Sequence, residues 1–401
     1  MKVMYHCVRR VSKRIKAGVD QLSAGALGFV MIVVALAMPT AAQTTLQLEN
    51  GNILSFSEGS VDMGTASGEL RDVSVIEDGE VVLRADYVFI DATGTVAGTD
   101  WFINEMIAEN AEIPSEQVFI SRIELRDIAA GMLADDAPPA NVEDLVTSDT
   151  MVRFDNLGFA NPEALVSIDS IATLPFDFDT MANGELVMTS SGFEVNGITV
   201  LAQDGSAELA PLIDALAARG ITDLGMDLRV ESLAEVGRDD LRIYYGLETG
   251  VGEIVGLGLG MVFQISQDAY QNLVPLLADP DDNGAALLGL SGAVSLEAAE
   301  VIIDDAGALD VLFALGAEEE GISEDEMRMM ARMLLASSLQ ETFPETAARL
   351  LPPMEAMIRS GGRLVISAQP GMPVPLSSAI GFVMLPDLAI EQLGIDVTHT
   401  P

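Results

Sequence analysis

Two short stretches, Met226-Asp227-Leu228-Arg229-Val230-Glu231 and Asp240-Leu241-Arg242-Ile243-Tyr244-Tyr245, set the fold class of this chain. In a strand, successive side chains point to opposite faces. Met226, Leu228 and Val230 then share one face, and Asp227, Arg229 and Glu231 share the other. Leu241, Ile243 and Tyr245 oppose Asp240, Arg242 and Tyr244 in the same way. Such strands belong to an antiparallel sheet with one apolar face and one acid–Arg–acid face. Cross-strand acid–Arg pairs contribute about 0.2–1 kcal/mol each, and their main effect is on register. The acid–Leu–Arg motif recurs as Glu69-Leu70-Arg71-Asp72 and Glu124-Leu125-Arg126-Asp127. Each arginine has acidic neighbours, so an arginine row for anions is the weaker reading.

Val81–Ile90 and Val118–Ile128 also read as strands, from their β-branched and alternating residues. A unit of strand, turn, short helix and glycine recurs at unequal spacing. Phe193–Leu201 leads through Asp204-Gly205-Ser206 to a helix over Glu208–Arg219, with Ser206 as N-cap and Gly220 as the left-handed stop. Val294–Ile303 leads to a helix over Leu309–Leu315 that ends at Gly316. Leu257–Ile265 precedes a helix over Asp268–Leu277, and Leu364–Ala368 precedes Leu388–Leu393 and Gly394. The longest helix starts at the capping box Ser323-Glu324-Asp325-Glu326 and runs to about Glu341. Pro344 and Pro352-Pro353 are expected to interrupt helix beyond that point, leaving Thr346–Leu351 as a short helical segment. The pattern is α+β: an extended, largely antiparallel sheet, short helices packed on one face, and degenerate β-β-α repetition.

Leu133–Val146 is acidic, carries Pro138-Pro139 and is the linker candidate. It divides the chain into a β-rich region over 43–132, a linker over 133–150, a β-rich region with short helices over 151–290 and an α+β region over 291–401.

The first 42 residues have a different character. Lys2, Arg9, Arg10, Lys13, Arg14 and Lys16 precede an apolar run from Ala24 to Met38, which ends in Pro39-Thr40-Ala41-Ala42. A basic start, an apolar core of about 7–15 residues and small residues before a cleavage point make a secretory signal. The run is short for a bilayer span of about 20 residues, so cleavage after Ala42 is favoured over a membrane anchor. Cys7 precedes the apolar run and leaves with the signal. The mature chain then has no transmembrane span and is expected in the periplasm.

Six of the 20 Lys+Arg and one of the 62 acids, Asp20, lie before Gln43. That leaves 14 arginines against 61 acids, a formal charge of −47, with no lysine and no cysteine. Thiol nucleophiles, lysine Schiff bases and Cys/His zinc sites are excluded for these residues. No basic patch exists to release counterions from phosphates, so nonspecific nucleic-acid binding is excluded too. A dense carboxylate surface suits a salty habitat, where ions shield self-repulsion.

Three clusters are candidate sites. Gly256, Gly258 and Gly260 alternate with Leu257, Leu259, Met261 and Phe263. No helix starts directly after the last glycine, so this is a strand with one bare face rather than a dinucleotide loop. The bare face invites close approach by another layer or by a ligand. Asp279, Asp281 and Asn283, followed by Gly284, match the first half of a calcium loop, but Leu290 stands where the bidentate Glu belongs. Met327, Met329, Met330 and Met333 form a methionine-rich face on the long helix, an adaptable apolar surface in kind. Helical spacing of Met327, Met330, Leu334, Leu335 and Leu339 makes core packing its simpler explanation, with Met329 the poorest fit to that stripe. A Ser–His–acid triad would need His399, the one histidine after His6, two residues from the chain end in a tail expected to be mobile. The roles of a catalytic site cannot be filled from these residues, so catalysis is not expected.

The C-terminal half carries Ile303-Asp304-Asp305-Ala306-Gly307 before a helix, then the capped helix from Ser323. Gly362-Arg363-Leu364-Val365-Ile366-Ser367-Ala368-Gln369-Pro370, Pro373-Val374-Pro375-Leu376 and Leu393-Gly394-Ile395-Asp396-Val397 complete the pattern. Over roughly residues 190–397 it resembles alphaproteobacterial periplasmic proteins of unknown function, and is distantly similar to YdgA-type and AsmA-like β-rich exported proteins. The resemblance implies a long curved sheet in the cell envelope with an apolar groove for lipid, and no site residues carry over. Together these readings predict a non-catalytic envelope protein that binds an apolar ligand, such as lipid, or an envelope protein. A purely structural scaffold and a calcium-dependent binding module are the alternatives.

Overall fold

A computed structural model of the chain describes residues 44–47, 52–62, 67–77, 79–93, 102–129, 146–160, 164–202, 216–218, 225–277, 292–378, 381–382 and 385–401. The N-terminal segment, Asp279, Asp281 and Asn283 lie outside these residues, as does the helix expected over Glu208–Arg219 except at 216–218. The fold is α+β and mostly antiparallel sheet. The chain divides into two compact units, one ending at Phe176 and one starting at Asp177.

In the N-terminal unit, β1 (Thr44–Gln47) pairs with β2 (Ile53–Phe56). β2 and β3 (Glu58–Asp62) both pair with β4 (Ser67–Glu77). A meander continues through β5 (Glu80–Thr93), β6 (Phe102–Ile113), β7 (Val118–Ala129), β8 (Val146–Ala160) and β9 (Ala164–Thr173). The expected linker lies between β7 and β8, which are paired neighbours. It therefore joins two strands of one unit, and β8 begins inside it.

The buried residues of this unit change parity along the strands. Leu70 gives way to Val73 on β4, Ala85 to Val88 on β5, Ala108 to Ala111 on β6 and Ile120 to Ile123 on β7. Asp72, Asp86, Asn110, Ser121 and Asn156 fall opposite one another at that change, on five successive strands. Asp72, Asn110 and Asn156 have left-handed backbone, φ 51°, 52° and 49°. Asp and Asn adopt that conformation more cheaply than other non-glycine residues. Asn110 Nδ2 donates to Asp86 at 2.8 Å, and Asn156 Nδ2 to the Ser121 hydroxyl at 2.9 Å. A second such position is Asp127, φ 47°, opposite Asn104, which donates to Asp91 at 3.2 Å. Both Glu-Leu-Arg-Asp motifs thus end on a left-handed Asp. Val230 and Ile243, in the same place of the other two motifs, stay extended within their strands, as β-branched residues must.

In the C-terminal unit, β10 (Asp177–Thr180) and β11 (Leu186–Ala202) begin a run continued by β12 (Met226–Val236), β13 (Asp240–Val251), β14 (Val255–Ser266) and β15 (Val294–Asp305). β16 (Gly362–Ala368) and the short β17 (Val374–Pro375) pair with β15, and β18 (Ile395–Thr400) pairs with β16. The described helices are α1 (Gln267–Leu277), α2 (Ala308–Glu320), α3 (Glu324–Thr342), α4 (Ala347–Ser360) and α5 (Pro386–Gln392).

Several local expectations hold. The Ser323 capping box is complete: Ser323 Oγ accepts from the Glu326 N–H at 3.3 Å, and Glu326 accepts from the Ser323 N–H at 2.8 Å. Others change. α2 continues through Gly316 and stops at Gly321, φ 67°. A Cβ on Gly316 would lie 3.2 Å from Met327 Cε, so this glycine lets α2 and α3 approach closely. α4 carries Pro352 and Pro353 inside it and does not break there. Its buried Ala347, Leu350 and Met357 pack the helix down, and burial outweighs the backbone bonds that proline removes. His399 is no loose tail residue: it sits in β18 opposite Leu364, and its Nε2 donates to the Gly361 carbonyl at 2.6 Å.

Candidate functional site

The acid–Arg face of the sheet is neutralised locally. Arg229 pairs with Glu231 at 3.0 Å, Arg242 with Glu297 at 2.7 Å, and Arg363 with Asp304 at 3.3 Å. In the N-terminal unit Arg122 and Arg126 share the buried Glu124 and also reach Glu109 and Glu105. Arg71 stacks 5.5 Å over the Tyr87 ring. These arginines have structural work, as the motif predicts.

The glycine row lies on that same polar face. Strand register places Gly256, Gly258 and Gly260 beside Asp304, Ile302 and Glu300. Neighbouring side chains lean over the bare backbone: Ile302 lies 3.4 Å from where a Gly258 Cβ would sit, and Tyr244 lies 3.4 Å from that of Gly260. An aromatic ring laid across a glycine on the next strand recovers contact the glycine cannot make. Glu231, Glu248 and Glu300 surround this tyrosine, and burial followed by their charge raises its pKa above the ordinary value of 10.0.

The opposite face is apolar and, among the described residues, only partly covered. At one end α1 seals it. Leu241, Ile243 and Ile265 are buried with Met181 and Val187, and Tyr270 and Ala269 of α1 pack against them. Buried Gln267 holds the helix start, accepting from the Ala182 N–H at 3.1 Å and donating to the Gly237 carbonyl at 2.9 Å. Toward β18, Leu339 of α3, Leu350 of α4 and Ile390 of α5 close over Ile395 and Val397. Register shows that this is the same face, since Val397 faces Ile366, Ile366 faces Val301, and Val301 faces Leu259.

Between those covers runs an open strip. Leu228, Val230, Leu247, Leu259 and Met261 are only half-buried, and Phe193, Tyr245 and Leu257 are 40%, 44% and 44% exposed. Tyr245 meets Phe263 edge to face at 6.0 Å. β14 has a strand on each side, yet Ile265 is its one fully buried apolar residue. An inner strand whose apolar side chains stay half-wet presents a continuous apolar surface. Such surfaces mark binding sites in soluble proteins.

A protein-family model described as "Uncharacterized protein" matches residues 256–400, from β14 through β18. The match takes in α1 to α5 and one strand of the open strip, and leaves β11 to β13 outside. No curated protein matches the chain.

The methionine candidates divide. Met327 turns inward against Gly316. Met329, Met330 and Met333 are 57%, 42% and 64% exposed, with Leu334 at 69%. Met330 and Leu334 therefore leave the core stripe assigned by spacing. The packed stripe is Met327, Ala331, Leu335 and Leu339, four residues apart, with Arg328 and Arg332 beside it. The glycine row and the methionine face are not brought together. Among the described residues no three His, Cys, Asp or Glu side chains are arranged to hold a metal, and no helix is long and apolar enough to cross a membrane. Among the described residues the buried carboxylates are Glu124, paired with arginines, and Asp305, whose Oδ1 accepts from the Leu309 N–H at 2.9 Å at the start of α2.

The open strip itself escaped the sequence reading. Alternation identifies the apolar side of each strand, but only the placement of α1 and α3 to α5 shows which part stays uncovered.

Proposed function

We propose that this chain is an exported, non-catalytic protein of the bacterial cell envelope that binds an apolar ligand, of the lipid acyl class, along the open strip of its C-terminal unit. The half-exposed apolar side chains of β11 to β14 carry this reading, because a central strand rarely leaves Leu257 and Tyr245 in water without an occupant. The basic and apolar N-terminal pattern supports export to the periplasm. The resemblance read from the sequence over roughly residues 190–397, to periplasmic proteins of unknown function and distantly to YdgA-type and AsmA-like exported proteins, is in keeping with an envelope role.

The test is to purify the mature chain from the envelope fraction and analyse co-purified lipid by mass spectrometry. The expected result is bound lipid in the wild type and its loss in a Leu247→Gln/Leu259→Gln variant that still folds. A ligand-free protein that also ignores a fluorescent fatty acid overturns the reading. Recovery of a stable protein partner without lipid would select a scaffold instead.

A further inference from the structure

The outward face of α3 is a second apolar surface, on a different element from the sheet strip. Met329, Met330, Met333 and Leu334 lie together on consecutive turns, all more than 40% exposed. Scattered exposed apolar residues are ordinary, but four contiguous ones on one helix face are a patch. The chain does not need them outward for the helix to form. The inner stripe and the capping box already hold α3 in place.

The electrostatics of the patch are one-sided. Glu326 and Glu341 flank it along the helix, and Glu318, Glu319 and Glu320 precede it, all exposed. The cations of α3 are turned away. Arg328 pairs with Asp310, donates to the Ile358 carbonyl at 2.7 Å and stacks 4.6 Å over the Phe313 ring. Arg332 reaches Glu355 at 3.4 Å. The chain has no lysine anywhere after residue 42. On α2 and α3 the exposed charges around the patch are all acidic, and such a surface attracts apolar groups flanked by positive charge and repels anionic lipid headgroups. A second copy would bring acid against acid at the same face. Unbranched methionine side chains adapt to partners of varied shape.

We propose that the outward face of α3 docks a cationic amphipathic segment of another protein, its apolar side chains on Met329, Met330 and Met333 and its Lys or Arg residues on the acidic rim. This inference stands apart from the lipid reading, since the sheet strip takes no part in it.

The experiment titrates the full mature chain, carrying methyl-labelled methionine, with a Lys/Leu amphipathic helical peptide and monitors the methionine resonances. The expected result is saturable shifts confined to Met329, Met330 and Met333, with binding that weakens as salt rises. A Met330→Gln/Met333→Gln variant, unchanged in net charge, should bind about ten-fold more weakly while keeping its melting temperature. Equal binding by a scrambled peptide of the same composition would reduce the effect to bulk charge attraction and overturn the proposal. So would unchanged affinity in the double variant, tighter binding of phosphatidylglycerol vesicles, or shifts produced by the chain's own self-association.

Discussion

Asp387 and Thr346 are 41 residues apart and together secure one helix end: Asp387 Oδ1 accepts from the Thr346 hydroxyl at 2.7 Å and from its N–H at 3.1 Å. The other oxygen of the same carboxylate accepts from the Glu345 N–H at 3.3 Å. α4 has no side-chain cap of its own, and Asp387 of α5 instead ties down the two residues that lead into it. Thr346 is buried and its N–H also reaches the Phe343 carbonyl at 3.2 Å, so its hydroxyl and the Glu345 N–H are the groups that lose their acceptor without Asp387. Asp387→Ala should lower stability by about 1–3 kcal/mol in urea melts. Asp387→Asn keeps one acceptor oxygen and should lose less. An unchanged midpoint for Asp387→Ala would show that water replaces the cap.

The left-handed ends of the Glu-Leu-Arg-Asp motifs give a second test. Asp127→Val puts a β-branched residue where φ is 47°. The substitution should cost about 1–3 kcal/mol, while Asp127→Asn should be nearly neutral. Asp72→Ile makes the motif read like Asp240-Leu241-Arg242-Ile243 and should fail in the same way. Equal stability of the Val and Asn variants would refute a backbone role for this position.

Gly316 sets two effects against each other. Glycine inside a helix costs about 1 kcal/mol relative to alanine. A Cβ here meets the tip of Met327, a flexible side chain that can give way. Gly316→Ala should therefore stay within about 0.5 kcal/mol of the wild type. Gly316→Leu cannot be accommodated so easily and should cost about 1–3 kcal/mol by forcing α2 and α3 apart. Thermal melts of both variants measure the contrast, and an equally mild leucine variant would contradict the close approach.

The capping box predicts a pH effect. The Ser323 N–H, and then its hydroxyl, hold the Glu326 carboxyl below the ordinary value of 4.5. A carboxylate whose folded pKa is depressed stabilises the fold above its unfolded value, and that contribution is lost as pH falls through the folded value. Helix α3 should then fray at its start on acidification below about pH 4.5. Carbonyl NMR titration of Glu326 should give a lower midpoint than in the Ser323→Ala variant. Identical midpoints would mean that the box does not form in solution.

Much of this fold was legible because its determinants are local. Apolar alternation at Met226–Val230 and Leu241–Tyr245 places both segments in adjacent antiparallel strands, and they pair Val236 to Leu241 as a hairpin. The capping box reads directly from Ser323 and Glu326, three residues apart. What failed depended on distant neighbours. Gly316 looks like a helix stop until Met327 is seen against it. Pro352 and Pro353 look like breakers until Leu350 and Met357 are seen buried on either side. His399 looks loose until β16 is seen beside it. Spacing alone put Met330 and Leu334 in the core, because a helical period does not say on which side the partner helix lies. The candidate site was legible only as a set of apolar faces, for coverage is decided by where α1 and α4 land.

The line of Asp and Asn residues across β4 to β8 also governs how this sheet tolerates changes of length. In an unbroken strand, one inserted or deleted residue turns every later side chain to the wrong face. Here the backbone already departs from regular extension partway along, at Asp72, Asn110 and Asn156. The register runs through this line without a shift, so a surplus residue would be taken up there by opening a bulge. The fault then ends at the line, and the far section keeps its alternation. Strands as long as β8, with 15 residues, should then tolerate an indel as short ones do.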